Sequence, residues 1–142
     1  MEVLNMDYGV IYELNDIQKI LGEYGPEKAG EIIRKQALDG NLLCQVFLSG
    51  ASLQISDEIR SDSINNDVEI FTKLAAENGD VGSQFNLALF YFKKVNFTQE
   101  YLSDEDVLNL REAKRWHYQA ASQGFSPSIK SIENLKSIFD LI

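Results

Sequence analysis

Apolar and polar positions alternate along this chain with helical rather than strand periodicity, and the pattern repeats. Three stretches carry it: Ala29-Gly-Glu-Ile32-Ile-Arg-Lys-Gln36-Ala37-Leu-Asp-Gly40, Val68-Glu-Ile-Phe71-Thr-Lys-Leu-Ala75-Ala76-Glu-Asn-Gly79 and Ala113-Lys-Arg-Trp116-His-Tyr-Gln-Ala120-Ala121-Ser-Gln-Gly124. In each, a small residue, a bulky apolar residue three positions on and an alanine-rich pair beyond it form one stripe, because residues three or four apart are neighbours on a helix. The closing Gly stands where a helix ends through a left-handed residue. After each Gly a second helical pattern begins, with Cys44, Ser83 or Ser128 four positions on, followed by Leu48, Leu87 or Ile132. Two helix types therefore alternate. The closing glycines are 39 and 45 residues apart, the regime of stacked helical hairpins.

The spacing predicts a first helix over Tyr8 to Leu21, stopped by Gly22 and the Gly25-Pro26 turn. Hairpins of 26–38 with 41–55, 66–78 with 81–94 and 109–123 with 127–140 follow. Asn66 with Glu69 and Asn109 with Glu112 have N-cap spacing, and Pro26 and Pro127 suit first helical turns. Residues 1–25 read as an N-terminal cap and 26–140 as repeats within a single domain over 1–142. The polar last helix, with Lys130, Glu133 and Lys136, reads as the other cap. The segment Ser56 to Asp67 reads as polar connection, and Val95 to Asp106 as a longer one mixing aromatics with acids; Ser103 with Asp106 has the spacing to start a short helical turn.

The phrase Ala113-x-x-Trp116-x-x-x-Ala120-Ala121-x-x-Gly124, followed by Ser128 and preceded by Leu87-Ala88-x-x-Tyr91, resembles the Sel-one-like repeat, a relative of the tetratricopeptide repeat. The likeness covers residues 26 to 140. Val68 and Phe71 stand where the family favours Ala and Trp, Gln36 replaces an alanine of the pair, and the family's Gly-x-Gly-Val loop gives way to longer acidic connections. The resemblance implies an all-α solenoid of antiparallel helical hairpins, about three repeats with capping helices. It also implies a protein-binding concave face, and places Val46, Phe47 and Gly50, then Phe85, Asn86, Leu89 and Lys93, toward it. Phe85, Leu89 and Phe92 lie at four- and three-residue steps, which suits either an apolar groove for a partner helix or peptide, or packing between adjacent repeats. In the connection, Tyr101, Asp104, Glu105 and Asp106 are candidates for recognition, while Phe97, Tyr101 and Leu102 would serve equally to pin the loop.

Charge narrows the choice of partner. Thirteen basic against 22 acidic residues give a net charge of −9, and residues 1–67, with 12 acids and 5 bases, carry −7 of it. Nucleic acid is disfavoured and a basic protein partner favoured. No run of eighteen apolar residues occurs, so no membrane span is expected, and the start lacks the basic and apolar segments of a secretory signal, which points to a cytoplasmic protein. Its one cysteine, Cys44, occupies the small-residue slot and is expected to be a buried structural thiol.

Catalytic chemistry finds little to use. His117 is the only histidine, so a histidine metal cluster or a Cys-His dyad would rest on this one residue, whose neighbours Trp116 and Tyr118 are repeat positions. Acidic pairs fall in connections, away from the dry pocket that raises a carboxyl pKa. Gly79-Asp-Val-Gly82 lacks the Lys-Ser/Thr ending of a phosphate loop. No cofactor or metal is expected. The reading is a bacterial protein-interaction module, an adaptor, scaffold or regulator; the alternative is an immunity protein that neutralises a toxin by occluding it.

Overall fold

A computed structural model describes residues 9–53 and 61–142. The regular structure is wholly α-helical, with no strand among the described residues. Seven helices are present among them: α1 (Leu14–Leu38), α2 (Leu42–Leu53), α3 (Asp62–Glu77), α4 (Val81–Lys93), α5 (Asp104–Ala121), α6 (Ser126–Asn134) and α7 (Lys136–Phe139). They form two compact units, Met1–Asn78 and Gly79–Ile142.

In the first unit α1 packs on α2, and α2 packs on α3. Ile17, Ile20, Ala29, Ile32, Ile33, Ala37, Cys44 and Phe71 make its core. In the second, α4 packs on α5, α5 on α6, and α7 closes against both α5 and α6. The expected pairings of 26–38 with 41–55 and of 109–123 with 127–140 are therefore present within these units, while that of 66–78 with 81–94 straddles their boundary.

The three phrases share one burial register. Eleven residues before the closing Gly, Ala29, Val68 and Ala113 are all buried; eight before it, so are Ile32, Phe71 and Trp116; four after it, so are Cys44, Ser83 and Ser128. Gly40, Gly79 and Gly124 have φ of 108°, 97° and 82°, the left-handed region that side chains disfavour. A hydrogen bond recurs with them. In the first unit Asn78 Nδ2, one position before its Gly, donates to Gln45 Oε1 at 3.3 Å. In the second, Gln123 Nε2 donates to Gln84 Oε1 at 2.8 Å from the equivalent pair of positions.

Several boundaries differ from the sequence expectation. The first helix begins at Leu14, with Tyr8 outside the described residues, and runs through Gly22; only Gly25 (φ 82°, ψ 168°) breaks it, and Pro26 then opens the next helical stretch. Asn66 and Asn109 are not N-caps, because α3 begins at Asp62 and α5 at Asp104. Ser103 caps α5 instead, so the expected short turn is the first turn of that helix. The last helix divides at Leu135, which lets Phe139 on α7 turn fully inward.

Ahead of α1, residues 9–12 form a strap without regular secondary structure. Ile11 inserts into the core at 3% exposure. Its N–H donates to Gln36 Oε1 at 2.9 Å, Gln36 Nε2 donates to Gly9 O at 2.9 Å, and Asn41 Nδ2 donates to Ile11 O at 2.9 Å. Gln36, which departs from the alanine of the other copies, thus supplies the backbone partners a strand neighbour would give.

The glycines separate two effects of a methyl group, since an added Cβ at Gly40 or Gly30 meets no atom within 4 Å. Gly40→Ala is expected to destabilise by about 1–2 kcal/mol through its positive φ. Gly30→Ala, inside α1, is expected to stabilise by about 0.5–1 kcal/mol. Urea unfolding of the two variants measures both signs.

Candidate functional site

The surface that gathers most of the candidate residues is the outer side of α4 and the connection to α5. Asp80 caps α4, accepting from Ser83 N at 2.9 Å and Ser83 Oγ at 2.6 Å. That start fixes the register: Ser83, Gln84, Leu87, Ala88 and Tyr91 are buried, which leaves Phe85, Leu89 and Phe92 on a more open stripe.

The stripe is not uniform. Phe85 is half-buried, its ring set edge-on to His117 at 5.6 Å and to Phe125 at 5.5 Å, so it serves packing as well as surface. Leu89 is 38% exposed. Phe92 is half-buried and meets Phe97 of the connection at 5.4 Å. Asn86 is half-buried and Lys93 exposed. Val46 lies on α2 in the other unit, half-buried.

The connection is both pinned and open. Val95 is buried, and Asn96 Oδ1 accepts from Thr98 N at 2.9 Å in a tight side-chain turn. Phe97 anchors on Phe92, whereas Tyr101 is 79% exposed and Leu102 39%. Sequence reading overlooked Leu108, exposed one turn into α5; its pattern gave no sign, since an isolated exposed leucine is ordinary.

Asp104 and Glu105 are exposed in the first turn of α5, where carboxylates suit the positive end of the helix dipole. Asp106 differs from them. It is buried, accepts from Asn96 N at 3.2 Å and Ser103 N at 3.1 Å, and its own N–H donates to Ser103 Oγ at 3.0 Å. The Asn96 and then the Ser103 backbone N–H groups hold its carboxyl below the usual range, so it stays charged and ties both ends of the connection together. Its carboxylate is committed to the fold.

No constellation for metal or nucleophilic chemistry accompanies this surface. Among the described residues no three His, Cys, Asp or Glu side chains converge as metal ligands. Cys44 is fully buried, and burial pushes its thiol up to about 11, which keeps it protonated near neutrality. His117 is buried with Nδ1 3.4 Å from Ser128 Oγ and its ring 6.2 Å from Phe139. Burial lowers its pKa because the charged form would lose water. No helix among the described residues is long and apolar enough to cross a membrane.

Comparison with protein-family models, with curated proteins and with solved structures finds no match.

The buried imidazole carries a pH dependence with a definite sign. Its folded pKa lies below the unfolded value near 6.5, so the unfolded chain binds the proton more readily. Stability is full above about pH 6.5 and falls as the pH drops toward the folded pKa, by up to about 1.4 kcal/mol per unit. Urea titrations at about pH 7.5 and 5.5 should show the wild type losing more than His117→Gln.

Proposed function

We propose that this chain is a Sel-one-like, tetratricopeptide-type helical repeat protein that works by binding another protein through the outer face of α4 and the 95–103 connection. The common burial register of the three phrases and their left-handed glycines support the repeat assignment. The observation that carries the function is the exposure of Leu89 on α4 and of Tyr101 on the connection, two elements held together by the Phe92–Phe97 contact. Exposed aromatic and aliphatic side chains on elements held in place by packing have the composition of an interaction surface.

Toxin inhibition is the second reading, favoured by one observation: Asp104 and Glu105 stand exposed just after Tyr101 in a chain of net charge −9. Carboxylates at the rim steer a cationic partner and add little affinity at high salt. An adaptor that holds an apolar helix would keep its affinity as salt rises from about 0.05 to about 0.5 M, whereas an inhibitor of a basic protein would lose about ten-fold or more.

A benzophenone side chain placed at position 101 in cells that naturally make the protein is expected to crosslink to one discrete partner. Leu89→Asp in the same chain, unfolding at the same urea midpoint as the wild type, should abolish that adduct. Adducts that are absent, or indifferent to Leu89→Asp, would remove this face as the binding surface.

A further inference from the structure

A separate surface of the second unit is marked by the recurring sequence pattern. Tyr118, Ala121 and Ser122 of α5 with Ile129, Ile132 and Glu133 of α6 line an open groove of ≈ 340 Å³. Counted from Gly124, these six stand at the positions that Arg34, Ala37, Leu38, Gln45, Leu48 and Ser49 occupy relative to Gly40. In that earlier copy helix α3 covers part of the place, leaving Leu38 exposed. Arg34 lies over the Phe71 ring at 5.0 Å, the Ser49 hydroxyl bonds Thr72 Oγ1, and Gln45 bonds Asn78. Ala37, Gln45 and Ser49 are all buried as a result. Of their counterparts in the last copy, Ile129 is 41% exposed, Glu133 is exposed and Ala121 is half-buried, with Tyr118 beside them 46% exposed.

We propose that this groove is the seat for a helix of a partner protein, and that the chain's own α3 shows what such a helix looks like. On α3 and just past its end, Phe71, Thr72 and Asn78 meet the earlier seat, and Ala75, buried on the same stripe, completes a run at helical spacing. Phe71, Thr72 and Asn78 are each matched to a neighbour, and the last copy changes all three neighbours. Tyr118 replaces Arg34 beneath the aromatic position, offering a ring edge or face. Glu133 replaces the Ser49 hydroxyl opposite Thr72, which calls for Lys or Arg there. Ile129 replaces the Gln45 amide opposite Asn78, which calls for an apolar side chain and leaves an incoming amide without its partner. The occupant is therefore a helix reading aromatic-basic-x-x-small-x-x-apolar. The equivalent faces of α1, α3 and α5 do not supply it: Arg34 and Lys73 fall one position past the basic slot, and Asp39, Asn78 and Gln123 hold the apolar one.

The probe is a fluorescent peptide of sequence 62–78 carrying Thr72→Lys and Asn78→Leu, stapled between positions 69 and 73 so that it enters already helical. Anisotropy against the full chain should show saturable binding, weakened about ten-fold or more by Ile129→Asp or by Tyr118→Ser. Both side chains are partly exposed, and melting curves check that each variant folds. The peptide with Thr72→Lys should bind the wild type more tightly than the same peptide keeping Thr72, and Glu133→Gln should erase that preference. Absence of binding, or binding that survives both groove variants, overturns the proposal. So does self-association of the chain that Ile129→Asp abolishes, which would give the seat to a second copy. The benzophenone experiment at position 101 reads the α4 face alone, so either surface can fail without the other.

Discussion

Close approach of helix to helix over small buried side chains is the constraint on which this molecule depends. Ala29, Ala113 and Ala37 have no solvent exposure, and Val68 and Ala76 almost none. A larger side chain at any of these points would push its helix off its neighbour, and overpacking of that sort typically costs about 1–3 kcal/mol. Because the small residues sit at fixed distances before a left-handed glycine, each helix ends at a set height relative to the contact it makes. The amide pairs Gln45 with Asn78 and Gln84 with Gln123 then fix the same height from the partner's side. Packing sets the separation and hydrogen bonding sets the register.

What the sequence made legible was what repetition made redundant. The helical class, the buried stripe, the closing glycines and the buried Cys44 all recur three times or follow from positions that do. Starts of helices were poorly legible, because Asn66 and Asn109 have capping chemistry yet sit inside helices that begin earlier, at Asp62 and Asp104. At α5 the reciprocal Ser103–Asp106 capping box, tied to Asn96, provides the start. The candidate surface was half legible. Spacing gave the stripe of Phe85, Leu89 and Phe92, but spacing alone did not show that Phe85 is held by His117 and Phe125, residues distant in sequence. Asp106 was grouped with Asp104 and Glu105 by composition, and only the path of the connection around Asn96 separates its role from theirs.

The three phrases differ at the positions where each meets something different. At the residue eight before the glycine, Ile32, Phe71 and Trp116 grow in size along the chain, and Trp116 buries an indole N–H for which no acceptor is found among the described residues. That unmet donor is tolerated because the ring's area outweighs it, with Arg115 stacked 4.4 Å from its centroid. Four before the glycine, two copies keep alanine and the first has Gln36. The same pattern of positions thus carries an aromatic core residue in one phrase and a strap anchor in another.

The strap has a consequence for α1. Residues 9–12 are held by side-chain amides of Gln36 and Asn41 through the backbone of Gly9 and Ile11, with the Ile11 side chain as the plug. The strap thus closes a loop on α1, joined to its start through the backbone at Leu14 and to its last turns through Gln36, so one short segment ties together the two helical stretches that Gly25 separates.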